Sequence, residues 1–178
     1  LNKNIMMDYV KDYFVTKLRN INLKQIFDKD EFSDNIQNDN NFISFGLNLK
    51  FDDLSIKYDV ITKVDNVINI YLAKSAIYTK SYYIKELTLQ KYLINKLTDV
   101  PAISNLILIN SDYEFTKSDI NLDEYLNIVE CESRINNEDF IEVENNLKNI
   151  RKEITKIKTP EIEIGSHCKN PYQCNYFD

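Results

Sequence analysis

Two groups of side chains have the strongest claim to chemistry. The first is internal and polar: Asp59 in IKYDVI, Lys74 in YLAKSA, and Glu86, Gln90 and Tyr92 in KELTLQKYL. Carboxylates can hold a hard cation or move a proton, and lysines supply fixed positive charge. The second is terminal. The stretch GSHCKNPYQC (165–174) holds one of two glycines, the only histidine and two of three cysteines. No P-loop, GxGxxG, HExxH or EF-hand pattern is present. A single histidine in a terminal cysteine-rich segment argues against Ser-His-Asp or Cys-His catalysis.

The terminal group reads as metal-ligand chemistry with an incomplete ligand set. A [4Fe–4S] cluster takes four thiolates, and the chain supplies Cys168, Cys174 and Cys131. A zinc ion could use His167 with cysteines, but adjacent His167 and Cys168 cannot easily both reach one ion. Three free thiols and no cofactor are therefore expected in the chain as it stands. Cys131 ends an apolar run and reads as a buried residue.

Composition bounds the rest. A chain of 178 residues fits one domain. Apolar residues at 43%, with 12 Tyr and 9 Phe, allow a packed core and argue against disorder. No run approaches the ~20 apolar residues of a membrane span, and no signal peptide is evident. Unpaired cysteines suggest a reducing cytoplasm. The net charge of −6 weakens any reading as a general nucleic-acid coat. Locally the balance reverses: between Val67 and Leu97, five lysines (74, 80, 85, 91, 96) oppose Glu86 alone. A start at Leu1 and an end beside a cysteine suggest a piece of a longer protein, with a domain over 1–164 and the start of a cysteine-rich segment over 165–178.

Periodicity gives the elements that must position these residues. Met6, Val10, Tyr13, Phe14 and Leu18 predict a helix over 3–19, with a shorter one near Leu23–Phe27. The polar stretch 28–41 reads as a loop. Alternation predicts strands over 43–51 and 54–62, and the Asp65-Asn66 pair suits a hairpin turn into a third strand over 67–76. That strand is apolar on both faces and so central. A helix follows over 80–97, packed on the sheet, then a central strand at 105–110 and a further strand at 126–131. Phe140, Val143, Leu147, Ile150, Ile154 and Ile157 form a helical seam, capped by Asn136 and stopped by Pro160. Such a seam can be a coiled coil, but at under three heptads it is expected to pack on its own domain. The fold class is α/β (α+β), a small mixed sheet with an antiparallel meander flanked by helices.

A strand with Asp, a turn, a strand carrying (D/E)-x-K, then a helix with a Gln and a nearby Tyr is the pattern of the PD-(D/E)XK nuclease superfamily core, which the chain resembles. Residues 54–110 carry the resemblance, and the RecB-like branch is closest in kind. More narrowly, the chain is similar to an uncharacterised bacterial domain-of-unknown-function family with a restriction-endonuclease-like core. Its final segment runs Gly, x, His or any residue, Cys, x, x, Pro-Tyr, x, Cys, aromatic residues, then another Cys. The resemblance implies that Asp59 is the metal-binding aspartate, that Lys74 positions the attacking water, and that Gln90 and Tyr92 belong to the helix motif. It also implies that Cys168 and Cys174 begin an iron–sulfur knot that only the full-length chain would complete.

The departure is at position 72. The family pattern needs an acidic residue two before the lysine, and here it is Leu72. Residues i and i+2 share a strand face, so the Leu72 side chain would point beside Lys74 and towards Asp59, offering Mg²⁺ no oxygen. Three readings follow. One is a nuclease-like domain with impaired or absent catalysis that retains nucleic-acid binding. The next is an active Mg²⁺-dependent nuclease whose missing ligand has moved to Glu86. The last is a non-enzymatic scaffold whose 140–157 seam docks another protein or the rest of the full-length chain. No reading requires a membrane.

Overall fold

The computed structural model describes residues 2–115, 120–157, 164–169 and 173–174. Two compact units divide the chain, Leu1–Phe140 and Ile141–Asp178. Helix α1 (Lys3–Leu18) opens on Asn2, whose side chain accepts from the Asn4 N–H, and buries Met6, Val10 and Phe14 at steps of four. The helix expected near Leu23–Phe27 is instead a two-residue strand, β1 (Lys24–Gln25). Its backbone joins the sheet edge, parallel to the next strand, and Ile26 N–H donates to Ile43 O.

The expected 28–41 loop contains a second helix, α2 (Lys29–Gln37). A reciprocal cap starts it: Asp28 accepts from Glu31 N–H at 2.9 Å, and Glu31 accepts from Phe27 N–H at 2.7 Å. Phe32 anchors it in the core. Polarity hid the helix because one large apolar residue and a cap suffice to hold so short an element.

The strands expected over 43–51 and 54–62 are each broken in two. They form β2 (Phe42–Phe45), β3 (Asn48–Phe51), β4 (Leu54–Lys57) and β5 (Val60–Val64). The hairpin register runs through the break unchanged, with Phe45 opposite Val60 and Asn48 opposite Lys57. Gly46 N–H still donates to Asp59 O, and Tyr58 N–H to Leu47 O. What changes is direction. Gly46 has φ +75°, a left-handed conformation that favours glycine. The outer half, β3–β4, becomes a separate two-stranded sheet. Leu47 and Leu49 then join the core on the side of the second long helix.

Asp65 (φ 49°) and Asn66 (φ 59°) make the expected tight turn into β6 (Val67–Ala73). Helix α3 (Ser81–Leu97) crosses to β7 (Ala102–Ile109), which pairs parallel with β6. A short helix α4 (Leu122–Tyr125) leads into β8 (Leu126–Glu130), antiparallel to β7. The main sheet has six strands in the order β1-β2-β5-β6-β7-β8, so β6 and β7 are interior, as their apolar runs require.

The fold of the first unit is thus α+β, a mixed sheet with helices on both faces. Ile61, Ile68, Ile70, Leu72, Leu106 and Leu108 meet Leu87, Leu93 and Ile94 of α3. Val60, Ala73 and Ile107 meet Met6, Val10 and Phe14 of α1.

The last long helix is α5 (Asn137–Ile154). Asn136 caps it by accepting from Glu138 and Asp139 N–H groups; Pro160 lies outside the described residues. None of its residues is fully buried; Phe140, Val143 and Leu147 of the expected seam are half-buried, and Ile150 and Ile154 are exposed. Among the described residues, no helix is long and apolar enough to cross a membrane.

Candidate functional site

The hairpin bend makes the site. Asp59 sits at the elbow between β4 and β5, opposite Gly46, with only 8% of its surface exposed. Its Oδ2 accepts from the Ala73 N–H at 3.0 Å, tying the elbow to the end of β6. Its Oδ1 lies 3.1 Å from the ammonium of Lys3, on the first turn of α1. Both oxygens therefore have partners within the chain.

Lys74 follows the last residue of β6, its N–H donating to Ile107 O and so continuing the ladder with β7. Its ammonium contacts Glu86 Oε2 at 2.6 Å and lies 5.2 Å from the centre of the Tyr83 ring. Asp59 and Glu86 line one cleft of about 360 Å³, together with Lys3, Asn4, Met7, Lys11, Phe45, Gly46 and Lys57. Three lysines against two carboxylates give this lining a net charge of +1. Lys74, one contact behind Glu86, adds to it.

The other expected members lie elsewhere. Gln90 is buried one turn beyond Glu86; its backbone carbonyl accepts from Tyr58 Oη at 2.8 Å, and its Oε1 has no hydrogen-bond partner among the described residues. It is not part of the cleft lining. Tyr92 is half-buried near Lys96, whose ammonium lies 5.0 Å from its ring centre. Leu72 does not face Asp59 as strand alternation suggested. It is 1% exposed, inside the apolar cluster under α3. Bending at Asp59 takes that carboxylate off the plain alternation of β5 and β6, so shared parity no longer means shared surroundings.

Lys3, Lys11 and Lys57 were absent from the expected site. A signal for two of them existed: Lys3, Met7 and Lys11 recur at steps of four along one face of α1.

The residues present do not fit a tightly held Mg²⁺. That ion takes oxygen ligands in octahedral array, but Asp59 is engaged by Lys3 and the Ala73 N–H, and Glu86 by Lys74. Among the described residues, no three of His, Cys, Asp and Glu gather as a metal site. Of the cysteines, Cys131 is fully buried, and burial pushes its thiol up from the ordinary value. Cys168 is half-buried and Cys174 exposed; the Cys174 N–H donates to Cys168 O at 2.7 Å. Both belong to the second unit.

No protein-family model, curated protein or solved structure matches the chain.

Proposed function

We propose that this is a nuclease-like domain that binds nucleic-acid phosphates in the Asp59–Glu86 cleft without cleaving them. The observation that carries the reading is the pairing of both cleft carboxylates with lysines of the chain itself, Lys3 with Asp59 and Lys74 with Glu86. Neutralised in this way, the carboxylates repel phosphate little, while Lys11 and Lys57 extend the positive lining. Two antiparallel strands, a crossover helix and a parallel strand support the resemblance to the PD-(D/E)XK core. A reducing cytoplasmic setting belongs to the same proposal.

Binding of fluorescent single- and double-stranded oligonucleotides tests it. Affinity should fall steeply with salt, and Lys57→Glu should weaken it on every sequence while lowering the salt slope by about one or more. Salt-independent binding, or none at low ionic strength, would refute the reading.

A second reading, an active nuclease with Glu86 as the relocated ligand, is favoured by one observation: Glu86 opens into the same cleft as Asp59. Metal-dependent cleavage would decide for it.

A further inference from the structure

The cleft does not end at its own lining. Lys57, one of its lysines, closes β4 and is exposed on the outer face of the β3–β4 ribbon. Its stem lies across Gly46, with Cε 3.4 Å from where a side chain there would begin. Glycine at position 46 therefore serves both the bend and the seat of the lysine.

Alternation fixes what continues from Lys57. Leu49, Phe51, Leu54 and Ile56 turn inward to the core under α3. Asn48, Lys50, Ser55 and Lys57 are all exposed on the opposite face. In the ribbon's register Asn48 stands opposite Lys57, and Lys50 opposite Ser55. Lys50 is thus the diagonal neighbour of Lys57, about 7–8 Å away. Ser55 Oγ donates to Asn48 Oδ1 at 2.9 Å, which leaves the Asn48 amide N–H groups as donors to an outside partner. Among the described residues, Lys11, Lys50 and Lys57 meet no carboxylate. Asp52 and Asp53 occupy the turn beyond Lys50 and end the positive stretch.

A row of unpaired lysines and amide donors suits successive phosphates. Continuity selects the partner, because a strand whose phosphates lie on Lys11 and Lys57 meets Lys50 next. We propose that the outer face of the β3–β4 ribbon is the path by which a nucleic-acid strand leaves the cleft, with Lys50, Asn48 and Ser55 on its phosphates. The inference rests on the reading of the cleft as a phosphate site and extends it.

Fluorescence anisotropy with oligothymidylates of about three and about twelve nucleotides tests the path, the shorter one filling the cleft alone. At about 0.1 M salt, where exposed charges are screened beyond ~10 Å, the longer should bind more tightly. Lys50→Glu should lower its affinity roughly tenfold and its salt slope by about one, while changing the shorter less than about twofold. Ser55→Glu, opposite Lys50, should act in the same direction. Both positions are exposed, so the fold should stay intact. Lys57→Glu, which touches cleft and ribbon alike, should weaken both lengths. If both lengths bind and neither ribbon variant separates them, the path is overturned while the cleft reading stands. If neither length binds, both fall together. An oligoglutamate of equal charge that displaces the longer probe as well as unlabelled oligothymidylate does would mark a surface for acidic protein, and would overturn the path too.

Discussion

Asp59 is a structural residue before it is a chemical one. Its Oδ2 holds the Ala73 N–H where β6 ends, and its Oδ1 faces Lys3 on α1. Asp59→Ala should leave that N–H without its partner and cost about 1–3 kcal/mol. Asp59→Asn keeps an acceptor oxygen and should cost less, so urea unfolding of the pair separates the hydrogen bond from the charge. If the alanine and asparagine variants unfold alike, the elbow bond contributes nothing measurable. Tyr58, next in the chain, supplies a pH test. Burial pushes its phenol well above the ordinary value of 10.0. Folding therefore keeps the phenol protonated, a stabilisation fully present below about pH 10 and lost as pH rises, because the unfolded phenol releases its proton first. Tyr58→Phe should cost about 1 kcal/mol at neutral pH by removing the bond to Gln90 O, yet flatten the alkaline decline. Burial also raises Tyr71, Tyr125 and Cys131, which would leave a residual slope. A decline as steep as wild type would assign the alkaline loss to those groups instead.

At the scale of elements, the bend at Gly46 and the burial of Leu72 decide what the site can be. Leu72→Glu would place a carboxylate inside the cluster shared with α3 rather than beside Asp59. It should lower stability by at least the ~2–5 kcal/mol of emptying a core site, with no gain in Mg²⁺ affinity in the fraction that stays folded. Thermal unfolding and metal titration check both parts; tighter Mg²⁺ binding would mean that position 72 can turn into the cleft after all. The long elements were legible because their patterns report packing directly. α1, α3 and the interior strands β6 and β7 show the periods of a helix face or a strand buried on both sides. The bend was not, since β2–β3 and β4–β5 keep one alternation and one register across it. Only Gly46, an exposed-looking glycine among alternating residues, marked it. α2 was hidden by its polarity, although the Asp28-x-x-Glu31 spacing was in view. Of the site, Asp59, Lys74 and Glu86 were legible from strand and helix order. Lys3 and Lys11 were legible only as one face of α1; that this face reaches the cleft depends on the tertiary packing of a helix distant in sequence.

For the whole molecule, the decisive question is whether a cleft with both carboxylates neutralised can cut a phosphodiester. Metal-assisted hydrolysis needs an ion that both stabilises the phosphate charge and generates the attacking hydroxide. Here an ion would have to displace Lys3 from Asp59 and Lys74 from Glu86 before it gained either carboxylate. The lysines are tethered, so a divalent cation competes against a partner that does not dissociate far. The protein should therefore leave single- and double-stranded DNA and RNA intact at millimolar Mg²⁺ or Mn²⁺. Lys3→Met frees Asp59 Oδ1 without touching the elbow bond, and should be the first variant to show any gain in metal affinity. Cleavage by the wild type that is lost in both Asp59→Asn and Glu86→Gln would establish an active nuclease built on the relocated Glu86. Cleavage that survives both substitutions would belong to a contaminant. The expected result is binding that responds to salt, indifference to the metal, and an uncut strand.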